Sequence, residues 1–268
     1  MSMSWKKYTK TFTMGLQNAL EYRTNFLLGL LSAVFPILIQ IFLWKAIFHS
    51  NEDSSVFGYS EAQVIAYAVL APLFAKLVST GFEYDIANDV KNGQLSKFVV
   101  QPIRYFVFRL CSFLGEKSLH MTIIAIITAV AAVFVRNAIP WDISRILVCV
   151  LSLLLAVAVN FLISYNLSMI SFWMVEVWGV FLTFGLVANI ASGGIFPLDM
   201  FGETAQAILN VLPFKYIVFF PVSVLLGKLS SSEMLFGLLI QVVWIVGLTG
   251  ISSLLWARGM KKYESVGG

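Results

Sequence analysis

Long apolar stretches alternate along this chain with short polar and charged ones. A helix needs roughly 20 apolar residues to cross the hydrocarbon core of a bilayer. On that measure the pattern predicts six spans, over residues 25–48, 61–82, 118–135, 145–173, 178–196 and 234–256. Before the first span the rhythm differs. Trp5, Tyr8, Phe12, Leu16 and Leu20 recur at steps of three and four, with Lys6, Lys7, Lys10, Gln17, Asn18 and Glu21 among them. This predicts an amphipathic helix from Met3 to Arg23, within residues 1–24, lying in a membrane interface. It reads either as a plain anchor or as a connecting piece between a cytoplasmic partner and the first span.

The connection after the second span, residues 83–117, carries Glu83, Asp85, Asp89 and Lys91, then Asn92-Gly93. A short charged helix is expected there, stopped by Gly93 in the C-cap role. A second short amphipathic stretch through Leu95, Phe98, Val99 and Val100 follows, broken at Pro102. The connection is too small for a domain and long for a turn, so it is either a contact surface or a solvated loop. Between the fourth and fifth spans, Met174-Val175-Glu176-Val177 leaves almost no loop, with Glu176 exposed or set against a partner.

Residues 197–230 are broken differently. Ser192-Gly193-Gly194 and then Phe196-Pro197 interrupt the fifth apolar run. A semi-apolar stretch with Asp199 and Glu203 follows, and Pro213 and Pro221 bracket an apolar run too short to span. A re-entrant or interfacial pair of short helices fits this pattern. Non-helical backbone at membrane depth survives only under cover of protein or beside a water-filled cavity. The segment therefore caps a pathway or packs on a partner subunit, unless it is an ordinary outer loop.

Composition leaves little for anything outside the bilayer. Hydrophobic residues make up 59% of the 268 and charged residues 12%, so the whole chain, 1–268, reads as one transmembrane domain. The basic residues orient it. Lys6, Lys7, Lys10, Arg23, Lys91, Lys97, Arg104, Arg109, Lys117, Arg258, Lys261 and Lys262 fall on one side, against Arg136, Arg145, Lys215 and Lys228 on the other. An outer loop with Glu52 and Asp53 agrees. The positive-inside rule then places both termini in the cytoplasm, in a multi-pass protein of the cytoplasmic membrane. A net charge of +4 would raise nucleic acid in a soluble chain. Here basic residues orient spans and touch anionic headgroups, so lipid is the expected contact and nucleic acid is not.

The chemistry of catalysis is missing. No G-x-x-x-x-G-K-[ST] phosphate loop occurs, since Gly227-Lys228 lacks both the upstream Gly and the following Ser or Thr. Neither H-E-x-x-H nor G-x-S-x-G is present. Cys111 and Cys149 should lie on opposite sides, and with His49 and His120 they lack metal spacing. The chain is thus expected to hold no catalytic residue, no metal and no cofactor of its own. Lys45, Lys76, Glu116 and Glu176 sit near span ends, and no carboxylate is expected at the midplane, which argues against a self-powered carrier. Small polar residues do stud the spans. Asn160, Ser164, Ser168 and Ser171 share one helical face, and Asn189 lies on the fifth span. They serve helix-to-helix hydrogen bonding or line a substrate path.

The order of these pieces resembles the membrane subunit of an ABC-2 type ABC transporter. Asn92-Gly93-Gln94-Leu95 with Gln101-Pro102-Ile103 resembles the family's pattern after the second span. Gly193-Gly194-Ile195-Phe196-Pro197-Leu198, Leu212-Pro213-Phe214 and Pro221 resemble its outer segment. Arg258 to Ser265, with Gly267, resembles the tail of one six-span subgroup. The resemblance implies a permease of an ATP-driven exporter, moving an amphipathic or hydrophobic compound, peptide or lipid. It implies two copies of a separate ATPase carrying ATP and magnesium, and a second permease subunit, identical or paralogous. Glu83, Asp85, Asp89, Lys91, Gly93 and Leu95 would belong to the ATPase-coupling helix, with Glu176 a second, smaller contact. Gly193, Gly194, Phe196, Pro197, Pro213 and Pro221 would form the outer gate. A stand-alone channel or membrane scaffold is the rival reading. An intramembrane enzyme is a weaker one, for want of a nucleophile with a base.

Overall fold

The computed structural model describes residues 5–50, 55, 57–100 and 103–263. The expectations placed on Met3, Glu52, Asp53, Gln101, Pro102, Glu264, Ser265 and Gly267 lie outside those residues. Regular structure among the described residues is helical: α1 (Trp5–Glu21), α2 (Arg23–Ser50), α3 (Glu61–Val78), α4 (Glu83–Lys91), α5 (Ser96–Val100), α6 (Tyr105–Phe134), α7 (Ile143–Ser168), α8 (Trp178–Ala191), α9 (Glu203–Val211), α10 (Phe219–Leu225) and α11 (Ser231–Lys262), with short 3₁₀ turns between.

Local chemistry sets the boundaries. Ser60 with Gln63 and Ser230 with Glu233 form capping boxes that start α3 and α11. Asp142 accepts from the Ser144 backbone N–H and starts α7. The same Ser144 bonds hold the Asp142 carboxyl below its ordinary pKa. Gly93 (φ +69°) ends α4, where the Gln94 N–H returns to the Asp89 carbonyl at 2.9 Å. Gly193 (φ +79°) ends α8 in the same way, with Gly194 N–H on the Asn189 carbonyl at 3.0 Å. Both stops use the left-handed residue that only glycine adopts without steric cost.

Among the described residues five helical segments are long and apolar enough to cross a membrane, and α8 is a shorter apolar helix of 14 residues. The connections collect at two ends. At the charged end lie α1, α4, α5, the 173–177 turn and the last turn of α11, where Tyr105 stacks on Trp256 at 5.2 Å and Phe172 meets Tyr263 at 6.3 Å. At the far end the Lys228 ammonium reaches the Gly58 carbonyl at 2.8 Å, and Arg145 reaches the Leu229 carbonyl at 3.0 Å. α8 connects the two ends although it is only about 21 Å long.

The core is centred on α7, which packs against α3, α10 and α11. Phe161 meets Phe82, Phe106 and Phe113 with centroids 4.9, 5.8 and 5.2 Å away. Gln241 is fully buried in α11, and its amide donates to the Ser152 carbonyl at 3.0 Å and the Tyr216 carbonyl at 2.8 Å. One side chain thereby joins α11 to α7 and to the 3₁₀ turn that follows Pro213.

Several boundaries correct the hydropathy reading. Residues 105–117 are not loop: α6 runs unbroken from Tyr105, so the predicted coupling region shrinks at its C-terminal side. The charges that obscured this helix are matched by neighbours, Arg109 by Asp85 and Asp89, Lys117 by the Ser79 hydroxyl at 3.0 Å. α3 stops at Val78, where Ser79 turns extended, rather than at 82. α8 stops at Ala191 rather than 196, because Gly193 ends it. The other spans become Arg23–Ser50, Ile143–Ser168 with a 3₁₀ turn Met169–Phe172, and Ser231–Lys262. The expected pair of short helices is present as α9 and α10.

The interfacial helix also differs in detail. α1 lies along the first half of α6 with Tyr8, Gly15 and Ala19 inward, while Phe12 and Leu20 are exposed. The expected apolar face thus splits: Tyr8 with the small Gly15 and Ala19 meets α6, while Phe12 and Leu20 face outward. A Cβ on Gly115 would stand 2.1 Å from the Phe12 carbonyl oxygen, and one on Gly15 would stand 2.4 Å from that of Ser112. Only glycine on both sides lets two backbones approach so closely. The Arg104 N–H at the start of α6 donates to the Tyr8 hydroxyl at 3.3 Å.

Candidate functional site

α4 presents two faces at the charged end. Ile86 and Ala87 are buried, and Ala87 packs with Val177, the N-cap of α8, and with Phe181 in its first turn. Tyr84 adds an edge-on contact to Phe181 at 5.2 Å. The opposite face exposes Asp85, Asn88, Lys91 and Asn92. Lys91 Nζ lies 2.7 Å from Glu176 Oε1, and both side chains are largely in solvent. The two contacts inferred separately from sequence are therefore one continuous surface, extended by exposed Met174 and Val175.

The predicted coupling residues divide by environment. Asp85 is open to solvent and 3.6 Å from Arg109. Asp89 is not open: its side chain is 13% exposed, that of Arg109 11%, and the two are hydrogen-bonded. The Tyr105 hydroxyl donates to Asp89 at 2.8 Å and accepts from Arg109 Nε at 3.0 Å. Leu95 is buried at the foot of this cluster, and Gly93 is the helix stop. Asp89 is thus paired with Arg109 of α6 and Leu95 is buried, so within this chain neither stands on the exposed face of α4. Arg109 was missed as a site residue, because it lies twenty positions beyond Asp89 with no local pattern linking them. A lone arginine in an apolar helical run was the available signal, since a shielded charge needs a partner.

Glu83 points elsewhere. It lines a cavity of about 250 Å³ between α3, α7, α8 and α10, and one of its carboxylate oxygens is buried without a hydrogen-bond partner. Asn160, Ser164 and Asn189 line the same cavity with Phe184. Asn160 donates to the Val78 carbonyl at 2.8 Å, and Ser164 shares a 2.6 Å hydrogen bond with Thr80. Both roles weighed for this stripe, helix bridging and cavity lining, therefore fall on the same residues. Ser168 and Ser171 do not reach the cavity: their hydroxyls return to carbonyls of their own turn, at 2.7 Å each.

At the far end the predicted gate residues fall into two groups. The Tyr67 hydroxyl donates to the Gly193 carbonyl at 2.6 Å, and Phe196 meets Trp44 edge-on at 6.4 Å. Gly194 is close-packed against the Asn189 side chain, and Pro197 precedes a 3₁₀ turn, Leu198–Met200. Pro213 and Pro221 lie apart from these, one before the turn Phe214–Tyr216, the other buried in the first turn of α10. Tyr59, buried and hydrogen-bonded to Asp199 at 2.7 Å, ties the first outer connection to this segment. Burial, and then the Asp199 bond, push its phenol above the ordinary value, so it stays a donor. The Lys228 ammonium sits 3.2 Å over the Tyr59 ring, and burial lowers its pKa.

These features define a polytopic helical membrane protein with a ridge of charged short helices at one end and a folded cap at the other. Among the described residues no group of His, Cys, Asp and Glu is arranged to hold a metal. The family model for the ABC-2 family transporter protein matches residues 34–267. The chain belongs to that family, whose members are membrane subunits that work with an ABC ATPase. No curated protein and no solved structure matches it.

Proposed function

We propose that this chain is the permease subunit of an ATP-driven exporter in the cytoplasmic membrane, with six crossings and both termini cytoplasmic. The observation that carries the reading is the joining of α4 to the 174–177 turn through Lys91 and Glu176. One surface made from two connections is the form expected of a platform that receives a rigid partner. Two ATPase copies, holding ATP and magnesium, would dock on the platforms of this chain and of a second permease subunit. Asp85, Asn88, Lys91 and Glu176 supply the polar contacts, with Met174 and Val175 the apolar ones.

The sixth crossing is α8. Its two ends join connections at opposite ends of the molecule, and the folded segment 192–230 makes up the depth that about 21 Å of helix leaves uncovered. The cavity at Asn160, Ser164 and Asn189 is the candidate substrate path, and its mixture of amide, hydroxyl and phenyl surface suits an amphipathic compound. The cap from Gly193 to Pro221 closes it toward the far end.

The test is purification from the native host in mild detergent, with mass spectrometry of what accompanies the chain. A stoichiometric ABC ATPase is the expected result. Repeated recovery of the chain alone after crosslinking, with conductance from the chain alone in liposomes, would refute the reading in favour of a channel. A protease-sensitive tag at either terminus should stay protected from outside.

A further inference from the structure

A second pocket, of about 410 Å³, opens where α3, α4 and α6 meet beside the α1–α2 corner. Lys76 of α3 and Lys117 of α6 line it, with the hydroxyl-bearing Ser79, Thr80 and Tyr22. Lys117 Nζ donates to Ser79 Oγ at 3.0 Å. Both lysines are half-buried, and among the described residues neither has a carboxylate oxygen within 4.0 Å. Two carboxylates share the wall: Asp85 is turned toward Arg109, and Glu116 is exposed. Glu83 lines the adjoining cavity.

Two partly desolvated ammonium groups in one pocket repel each other, and shielding from water increases the cost. An anion between them removes both penalties. His120 also lines the pocket, and the apolar part of the wall includes Phe82, Phe113 and Ile124. The pocket sits one residue from Gly115, where α1 packs on α6; with the amphipathic α1 in the membrane interface, the place its sequence pattern implies, the pocket is at headgroup depth. Exposed Leu28 and Leu31 continue the apolar surface along α2, whose Gly29 packs by the Lys76 ammonium. A charged mouth at the interface with an apolar floor matches a phosphate carried on acyl chains. Basic pockets between membrane helices are known to select such headgroups.

We propose that this pocket holds the phosphate of an anionic phospholipid from the leaflet in which α1 lies, between Lys76 and Lys117. The Tyr22 hydroxyl donates to one of its free oxygens, and the acyl chains run along α2. The site borders the proposed ATPase platform at Asp85 and does not depend on which side of the membrane α1 occupies.

The experiment is lipid titration of the purified full-length protein, followed by native mass spectrometry, with phosphatidylglycerol against phosphatidylcholine. Phosphatidylglycerol should be retained preferentially. Lys76→Gln and Lys117→Gln should each weaken it about five-fold, and together roughly twenty-five-fold, at about one favourable contact per lysine. Lys6→Gln with Lys10→Gln, at the interface but outside the pocket, should leave the retained lipid in place. Unchanged affinity in the double pocket variant would overturn the proposal. Competition by soluble glycerol 3-phosphate at the concentration of the lipid would also overturn it, assigning the site to a free phosphate ester. A variant-free check uses photoactivatable phosphatidylglycerol on the wild-type protein. Label in residues 76–82 and 113–124 supports the site, and label confined to other segments refutes it.

Discussion

Removing Asp89 should cost the protein far more than removing Asp85, four residues earlier on the same short helix. Asp89 and Arg109 are 13% and 11% exposed, while the Asp85 side chain is 62% exposed. With Asp89→Ala the guanidinium keeps its stacking on Tyr105 and Phe108, at 5.4 and 5.8 Å, but its only remaining carboxylate is Asp85 at 3.6 Å. Stranding one member of a buried pair costs about 3–5 kcal/mol. Asp85 compensates in part, which leaves about 2–3 kcal/mol for Asp89→Ala. Asp85→Ala should cost under about 1 kcal/mol, the value of an exposed pair. Arg109→Leu with Asp89→Ala removes both charges and should cost less than the sum of the single changes by about 2 kcal/mol. The assay is reversible unfolding in mixed dodecyl sulfate micelles, followed by tryptophan fluorescence. Additivity within about 0.5 kcal/mol would refute the claim that this pair fastens α4 to α6. It also follows that Asp85→Lys is the clean probe of ATPase coupling, because Asp89→Lys damages the fold before coupling can be read.

Further outcomes are accessible by similar means. Lys91→Glu or Glu176→Lys should shift stability by under about 1 kcal/mol, since the pair is exposed, yet lower transport-coupled ATP hydrolysis, and the swapped double variant should recover part of it. Loss of stability instead of coupling would count against the platform. Gly115→Val places a side chain against the Phe12 carbonyl and should lift α1 from α6. Maleimide labelling of Ala19→Cys, buried at 2% exposure, should then accelerate in a background lacking Cys111. Gly193→Ala meets the Tyr67 hydroxyl at 2.6 Å in a left-handed conformation and should cost about 2–3 kcal/mol, whereas Gly247→Ala, with open space around it, should stabilise α11 by up to about 0.8 kcal/mol. Equal effects at the two glycines would contradict the assigned backbone geometry.

Helix positions were legible in the sequence where one physical rule acted alone. Hydropathy located the long spans, and Asn92-Gly93 and Gly193-Gly194 marked stops that the backbone confirms by positive φ. Hydropathy failed where charged residues sit on a helix that tertiary packing holds together. Arg109, Glu116 and Lys117 made 105–117 look like loop, although α6 passes straight through them. The α1–α6 contact was hidden for the opposite reason. Gly15 and Gly115 lie a hundred residues apart, and glycine carries no hydropathy signal, so the pattern of large side chains gave no sign of this contact. Of the polar stripe on α7, spacing placed the four residues on one face. Only Asn160 and Ser164 found neighbours across the cavity, because hydroxyls deeper in the helix satisfy themselves on their own turn.

The crossing of α1 on α6 has a mechanical consequence. α6 is continuous and carries no proline, so a push on its inner turn, where Arg109 grips α4, moves the helix as a stiff rod. Gly115, clasped by α1, is the fulcrum of such a motion. The arm from Tyr105 to Gly115 is about 15 Å, and the arm from Gly115 to Phe134 is about 28 Å, at 1.5 Å per residue. A displacement of about 1 Å at the charged end therefore becomes about 2 Å at the far end. The packing of α1 on α6 sets that gearing, and moving the pivot by one helical turn would change how far the far end travels for the same stroke at the charged end.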